Sequence, residues 1–115
     1  MISLTLPWPG ADLSPNSRAK WGKIKAIMSM REQCRLIASQ IRHDLPATGN
    51  LSLSIMFYSP ANRGDLDNML GRAKSQLDGM AIGLGINDKR LRPITIDTRV
   101  DKANPRVEVT IDPLS

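Results

Sequence analysis

Ile2, Leu4 and Leu6 alternate with Ser3 and Thr5, the period-two pattern of a half-buried strand. Leu6-Pro7-Trp8-Pro9-Gly10 stops it, because proline brings no amide to a ladder. Ser14-Pro15 reads as a helix start, and the helical spacing of Ile24, Ile27, Met28, Cys34, Ile37, Ala38 and Ile41 predicts a helix from about Asn16 to His43. Leu45-Pro46 and Thr48-Gly49-Asn50 close it. Leu51, Leu53, Ile55 and Phe57 alternate with Ser52, Ser54, Met56 and Tyr58 in a second strand. After a loop over 59–64 the period lengthens again: Leu70, Ala73, Leu77, Met80, Ala81 and Leu84 form an apolar stripe, ended by Gly83 or Gly85 in the left-handed conformation. Ile94, Ile96, Thr98 and Val100 give a third strand. Asn104-Pro105 turns the chain into a fourth, Val107, Val109 and Ile111, and these last two strands read as a hairpin. The elements predict an α/β fold, one four-stranded mixed sheet packed by two helices, in a single domain over 1–115. The first helix links strands one and two, the second links strands two and three.

Length and composition narrow the class. A chain of 115 residues buries a modest core and gains from a partner. The single cysteine, Cys34, excludes an internal disulfide, suits a reducing compartment and is expected to pack in the core. No apolar run has the length of a membrane span and no leader pattern is present, so a cytoplasmic protein is expected.

Sixteen Lys and Arg stand against eleven acids. The first helix carries Arg18, Lys20, Lys23, Lys25, Arg31, Arg35 and Arg42, opposed only by Glu32 and Asp44. Charge runs are usually solvated faces. Here the local excess leaves a positive field of the kind that phosphate binding requires. His43, alone at a helix end, suits a cap interaction better than a general base. Trp8 reads first as cover for the sheet edge, and Asp97 and Asp101 as solvated residues of the hairpin's polar face.

The chemistry concentrates at Asp65-Leu66-Asp67-Asn68. Two carboxylates one residue apart suit Mg²⁺, which takes oxygen ligands and is usually held by one or two carboxylates plus substrate phosphate. If residues 63–67 are extended, both acids project to one side. Asp67 then falls where the helix N-cap belongs, and a turn plus a cap explains the pair equally well. Along the helix Asp67, Gly71, Lys74 and Asp78 form a second stripe, an ammonium above the acids with a gap at Gly71. Asn87-Asp88 brings a further acid after the helix end.

Asp65-x-Asp67-Asn68, Lys74, Leu77-Asp78-Gly79 and Asn87-Asp88, with Leu6-Pro7-Trp8-Pro9 and Ser14-Pro15-Asn16 before them, resemble the RusA-type Holliday junction resolvases, especially the prophage-encoded subgroup. The resemblance spans nearly the whole chain. It implies a small homodimeric, Mg²⁺-dependent endodeoxyribonuclease, with Mn²⁺ as a substitute metal, that cuts four-way DNA junctions by paired nicks. It marks Asp65, Asp67 and Asp88 as metal-binding acids and Lys74 as the essential base-type residue. Asn16, Arg18, Lys20, Lys23, Arg63, Asn68 and Arg72 are the expected DNA contacts. Two positions depart from the pattern. The usual lysine place, four residues after the second Asp, is Gly71 here, and the common double Asp reads Asn87-Asp88. From the residues alone, a non-catalytic basic DNA- or junction-binding protein remains open, as does an interaction module gripping a basic partner with its acidic loop.

Overall fold

The computed structural model describes residues 1–10, 20–61 and 65–114. The element order is β1 (Ile2–Pro7), α1 (Lys20–Ser39), β2 (Leu51–Ser59), α2 (Leu66–Arg72), α3 (Lys74–Leu84), a 3-10 turn (Asp88–Arg90), β3 (Leu91–Val100) and β4 (Arg106–Pro113). The strands form one mixed sheet in the order β1-β4-β2-β3. β4 runs antiparallel to both β1 and β2, and β3 lies parallel to β2 at the edge. No helix among the described residues is long and apolar enough to cross a membrane.

The alternation seen in the sequence fixes the sheet's inner face. Leu4 and Leu6, then Leu51, Leu53, Ile55 and Phe57, then Val107, Val109 and Ile111 are all buried, in register across β1, β2 and β4. Cys34 and Ala38 of α1 and Met80 and Leu84 of α3 close over them.

The expected hairpin of the last two strands is not formed. β3 pairs with β2, and β4 inserts between β2 and β1. The segment 101–105 steps over the end of β2, where the Asp101 amide donates to the Ser59 carbonyl at 2.8 Å. A pattern of alternation identifies a strand but not its neighbour; burial explains the choice. β4 carries three fully buried β-branched residues, whereas β3 leaves Ile94 and Val100 each 45% exposed. Pro93 also suits an edge, and it falls where the β2–β3 register shifts between Leu51 and Leu53.

Among the described residues three α-helices replace the expected two, because the second breaks at Ala73 into α2 and α3. Ala73 stays in the right-handed helical region (φ −87°, ψ −1°), so the break is a kink and not a turn. Met69, outside the predicted stripe, is buried there. α1 ends at Ser39 instead of His43, its last turn tightening as the Ile41 amide bonds the Ala38 carbonyl at 3.0 Å. The chain that follows serves another helix. His43 Nε2 lies 2.8 Å from the Leu84 carbonyl, capping the end of α3, where Gly85 takes the left-handed conformation (φ 71°). Ile24 and Met28, expected in the core line of α1, are largely exposed. The predicted start of that helix, Ser14-Pro15, lies outside the described residues.

α1 and α3 run side by side at close range. A Cβ at Gly79 would fall on the Arg31 carbonyl, and one at Gly83 on the Arg35 carbonyl and the Ala38 side chain. Gly71, Ser75, Gly79 and Gly83 recur every four residues, a stripe of small side chains along α2 and α3. Glycine at 79 and 83 is what lets the two backbones approach.

Candidate active site

The break at Ala73 sets out the charged residues. Asp65 is the N-cap of α2, extended (φ −75°, ψ 95°) and without a side-chain cap bond, and Asp67 lies inside the first helical turn. The expected pairing of the two acids on one side of an extended segment is therefore replaced, and Asp67 is not the cap. α2 begins two residues earlier than the sequence suggested, with Leu66 and not Asn68 as its first residue. Both acids are exposed at the positive end of α2. Asp67 stands one turn before Leu70 and Gly71, which line the clefts described next.

Lys74, the first residue of α3, reaches Asp78 one turn on (Nζ to Oδ1, 3.4 Å). Together with Asp88 these two line a cleft whose wall is apolar: Leu53, Leu70, Leu77, Leu91 and Ile94. The same three polar residues border an adjoining cleft that reaches Arg31 and Asn87. Asn87 caps the 3-10 turn, its side chain accepting from the Lys89 amide at 3.0 Å, which leaves Asp88 exposed beside it. The turn is fixed to the loop before β2 by Arg90, which donates to the Pro46 and Gly49 carbonyls.

Lys74, Asp78 and Asp88 are thus brought together, and Asp65 with Asp67 forms a second acidic point at the start of α2. No group of three or more His, Cys, Asp or Glu among the described residues is close enough to share one ion. Asp78 belongs to the cleft although the sequence assigned it no role, marking it only in a stripe and in the Leu77-Asp78-Gly79 motif; its spacing from Lys74 was the available signal. Gly71 lines the neighbouring cleft with Lys74 and Asp78, so the stripe survives the kink.

The family profile of Endodeoxyribonuclease RusA matches residues 14–112. The chain belongs to the RusA family. An uncharacterized protein from Xylella fastidiosa (strain Temecula1) is 45% identical over 95 residues, covering 78% of this chain and 62% of that protein. The chain spans about three-fifths of the length of that relative.

Other expected contacts of this RusA-family chain have definite surroundings. Arg72 donates to the Pro9 carbonyl, and its Cζ lies 5.5 Å from the Trp8 ring centroid. Trp8 meets Phe57 edge-on at 6.4 Å, the packing role first read for it. Gln76, fully buried, donates to the Pro7 carbonyl. These two side chains pin the proline-rich exit from β1. Lys23 and Asn68 also engage neighbours, whereas Asn16, Arg18, Arg63 and the side chain of Lys20 lie outside the described residues. Asp101 is not simply solvated. It pairs with Arg106 at 2.8 Å, which holds its carboxyl below the usual range, and Arg106 stacks 3.9 Å over Tyr58. Asp97 stays exposed, accepting from the Thr98 amide.

Proposed function

We propose that the protein is a Mg²⁺-dependent endodeoxyribonuclease that resolves four-way DNA junctions by paired phosphodiester hydrolysis, acting as a homodimer. The observation that carries the reading is Lys74 held by Asp78 in a cleft with Asp88, in a chain matched by the RusA family over residues 14–112. The donor set suits a hard cation. Asp65, Asp67 and Asp88 are exposed carboxylates, and none is engaged by its side chain in a cap, hydrogen bond or ion pair among the described residues. They would hold Mg²⁺, which supplies Lewis acidity toward phosphate and water. One or two carboxylates with substrate phosphate suffice for such an ion, so the three acids need not converge before DNA binds.

The chain's own contributions follow from the cleft. Lys74 offers a fixed positive charge to the oxygens on which negative charge develops. Asp78 positions that ammonium. Excess positive charge along α1 draws the DNA backbone, so binding is salt-dependent. A two-fold dimer presents two such clefts to a substrate that is itself approximately two-fold, which is what paired nicks require.

A non-catalytic junction-binding protein is the second reading, favoured by the lack of a three-ligand cluster among the described residues. Incubation of a synthetic four-way junction with the protein separates the two. The nuclease reading expects symmetric nicks with Mg²⁺ and none with EDTA, from a species sedimenting at twice the chain mass. Tight junction binding with no nicks in either condition supports the second reading instead.

A further inference from the structure

The cleft on the other side of Lys74 lies between α1 and the α2–α3 kink and has a volume of about 300 Å³. Lys23 and Arg31 come from α1, and Arg72, Lys74, Ser75 and Asp78 from α2 and α3. Four cations thus surround one carboxylate, and that carboxylate is already paired with Lys74. The first turn of α3, the positive end of the helix, opens on the same space.

Ser75 is the unexpected member. It is 6% exposed, and its Oγ is buried without a hydrogen-bond partner among the described residues. Buried hydroxyls are nearly always satisfied, and leaving one unmade is costly. The four-residue stripe of small side chains explains why position 75 is small, but alanine would serve that approach equally well and bury no polar atom. The hydroxyl calls for a ligand. A donor hydroxyl beside Arg and Lys donors matches a phosphate oxyanion, which accepts from both kinds of group.

Resting on the nuclease reading, we propose that this cleft is a phosphate subsite for a DNA backbone phosphodiester flanking the reacting one. Arg31 and Lys23 supply the charged donors and Ser75 the neutral one, reached by rotation about χ1. Lys74 and Asp78 border both this cleft and the one at Asp88, so a strand seated here continues into the acidic site.

The test uses the full chain, a four-way junction and EDTA, so that binding is read without cleavage. Arg31→Gln is expected to lower the slope of log K against log salt by about one, the loss of one phosphate contact. Ser75→Ala is expected to weaken binding several-fold at every salt concentration with the slope unchanged. Arg31 is exposed, so its variant carries the test even if Ser75→Ala fails to fold. Replacing single phosphates near the cut by neutral methylphosphonates should weaken wild-type binding at one position and cost Arg31→Gln nothing more there. Wild-type affinity and slope in both variants would overturn the proposal. Inorganic phosphate shifting the Ser75 amide resonance while no methylphosphonate position matters would assign the cleft to free phosphate and overturn the DNA source. Variants that bind as expected in a protein that never nicks DNA would keep the subsite and remove only the nuclease reading.

Discussion

Lys74 Nζ lies 3.4 Å from Asp78 Oδ1, and among the described residues the two side chains together border three clefts, one with Asp88, one with Arg31 and one with both. The ammonium is largely exposed, so the pair contributes little to stability and its value is positional. Lys74→Met keeps the apolar stem and removes the charge. Cleavage of a junction should fall by about 10²-fold or more, the usual scale for losing a transition-state donor. Junction binding should change less than tenfold, and the fold should persist. A single-turnover assay beside a binding isotherm checks both. Equal losses in binding and cleavage would make Lys74 a general phosphate contact.

The close pass of α1 and α3 gives a stability prediction with an internal control. Gly79→Ala places a methyl on the Arg31 carbonyl, where the neighbour is backbone and cannot swing away. Forcing the helices apart should cost at least about 2 kcal/mol, and so lower Tm by on the order of 10 °C. Gly22, inside α1, has nothing within 4 Å of its would-be Cβ among the described residues. Gly22→Ala should therefore stabilise by about 0.5–1 kcal/mol through helix propensity alone. Thermal melts of the two variants check the contrast in sign.

Burial pushes the Cys34 thiol up to about 11 from its ordinary 9.0, against a smaller opposing effect of a hydrogen bond with Gln76. The folded state therefore keeps this proton after the unfolded chain has lost it. The stability linked to it is full below pH 9.0 and declines as pH rises from there to about 11. Other groups titrate in the same range, so the readout is a difference. Cys34→Ala should be less stable than wild type at neutral pH and lose less stability over that alkaline window. Parallel melts across the window would contradict the assignment.

Much of this architecture was legible in the chain. Alternation placed β1, β2 and β4, and helical spacing placed Cys34, Ala38, Met80 and Leu84, because burial on one face imposes those periods directly. The sheet order was not legible, since Val107, Val109 and Ile111 mark β4 as a strand without naming its partners. The kink at Ala73 left no mark either, as the stripe from Leu70 to Leu84 runs through it without change of period. At the site, the resemblance carried by Asp65, Asp67, Lys74 and Asp88 agrees with the family match over residues 14–112. The roles of Gly79 and Gly83 were hidden because a close approach depends on the partner helix, which spacing within one segment cannot reveal. Arg72 and Gln76 show the same thing for polar residues. Their partners are carbonyls 63 and 69 positions earlier in the chain.

The central claim is that the acids at the start of α2 perform chemistry instead of holding the fold. Asp67 is not the cap of α2 and makes no hydrogen bond or ion pair among the described residues, so its charge is available to a cation. Asp67→Asn keeps the size and an oxygen and removes only that charge. The direct measurement is the single-turnover cleavage rate of a four-way junction in Mg²⁺, wild type against Asp67→Asn, with junction affinity and melting temperature recorded on the same samples. The account predicts a rate lower by at least about 10²-fold, the scale of a lost electrostatic element of catalysis, with affinity and melting temperature nearly unchanged. A variant that cuts at the wild-type rate would contradict it.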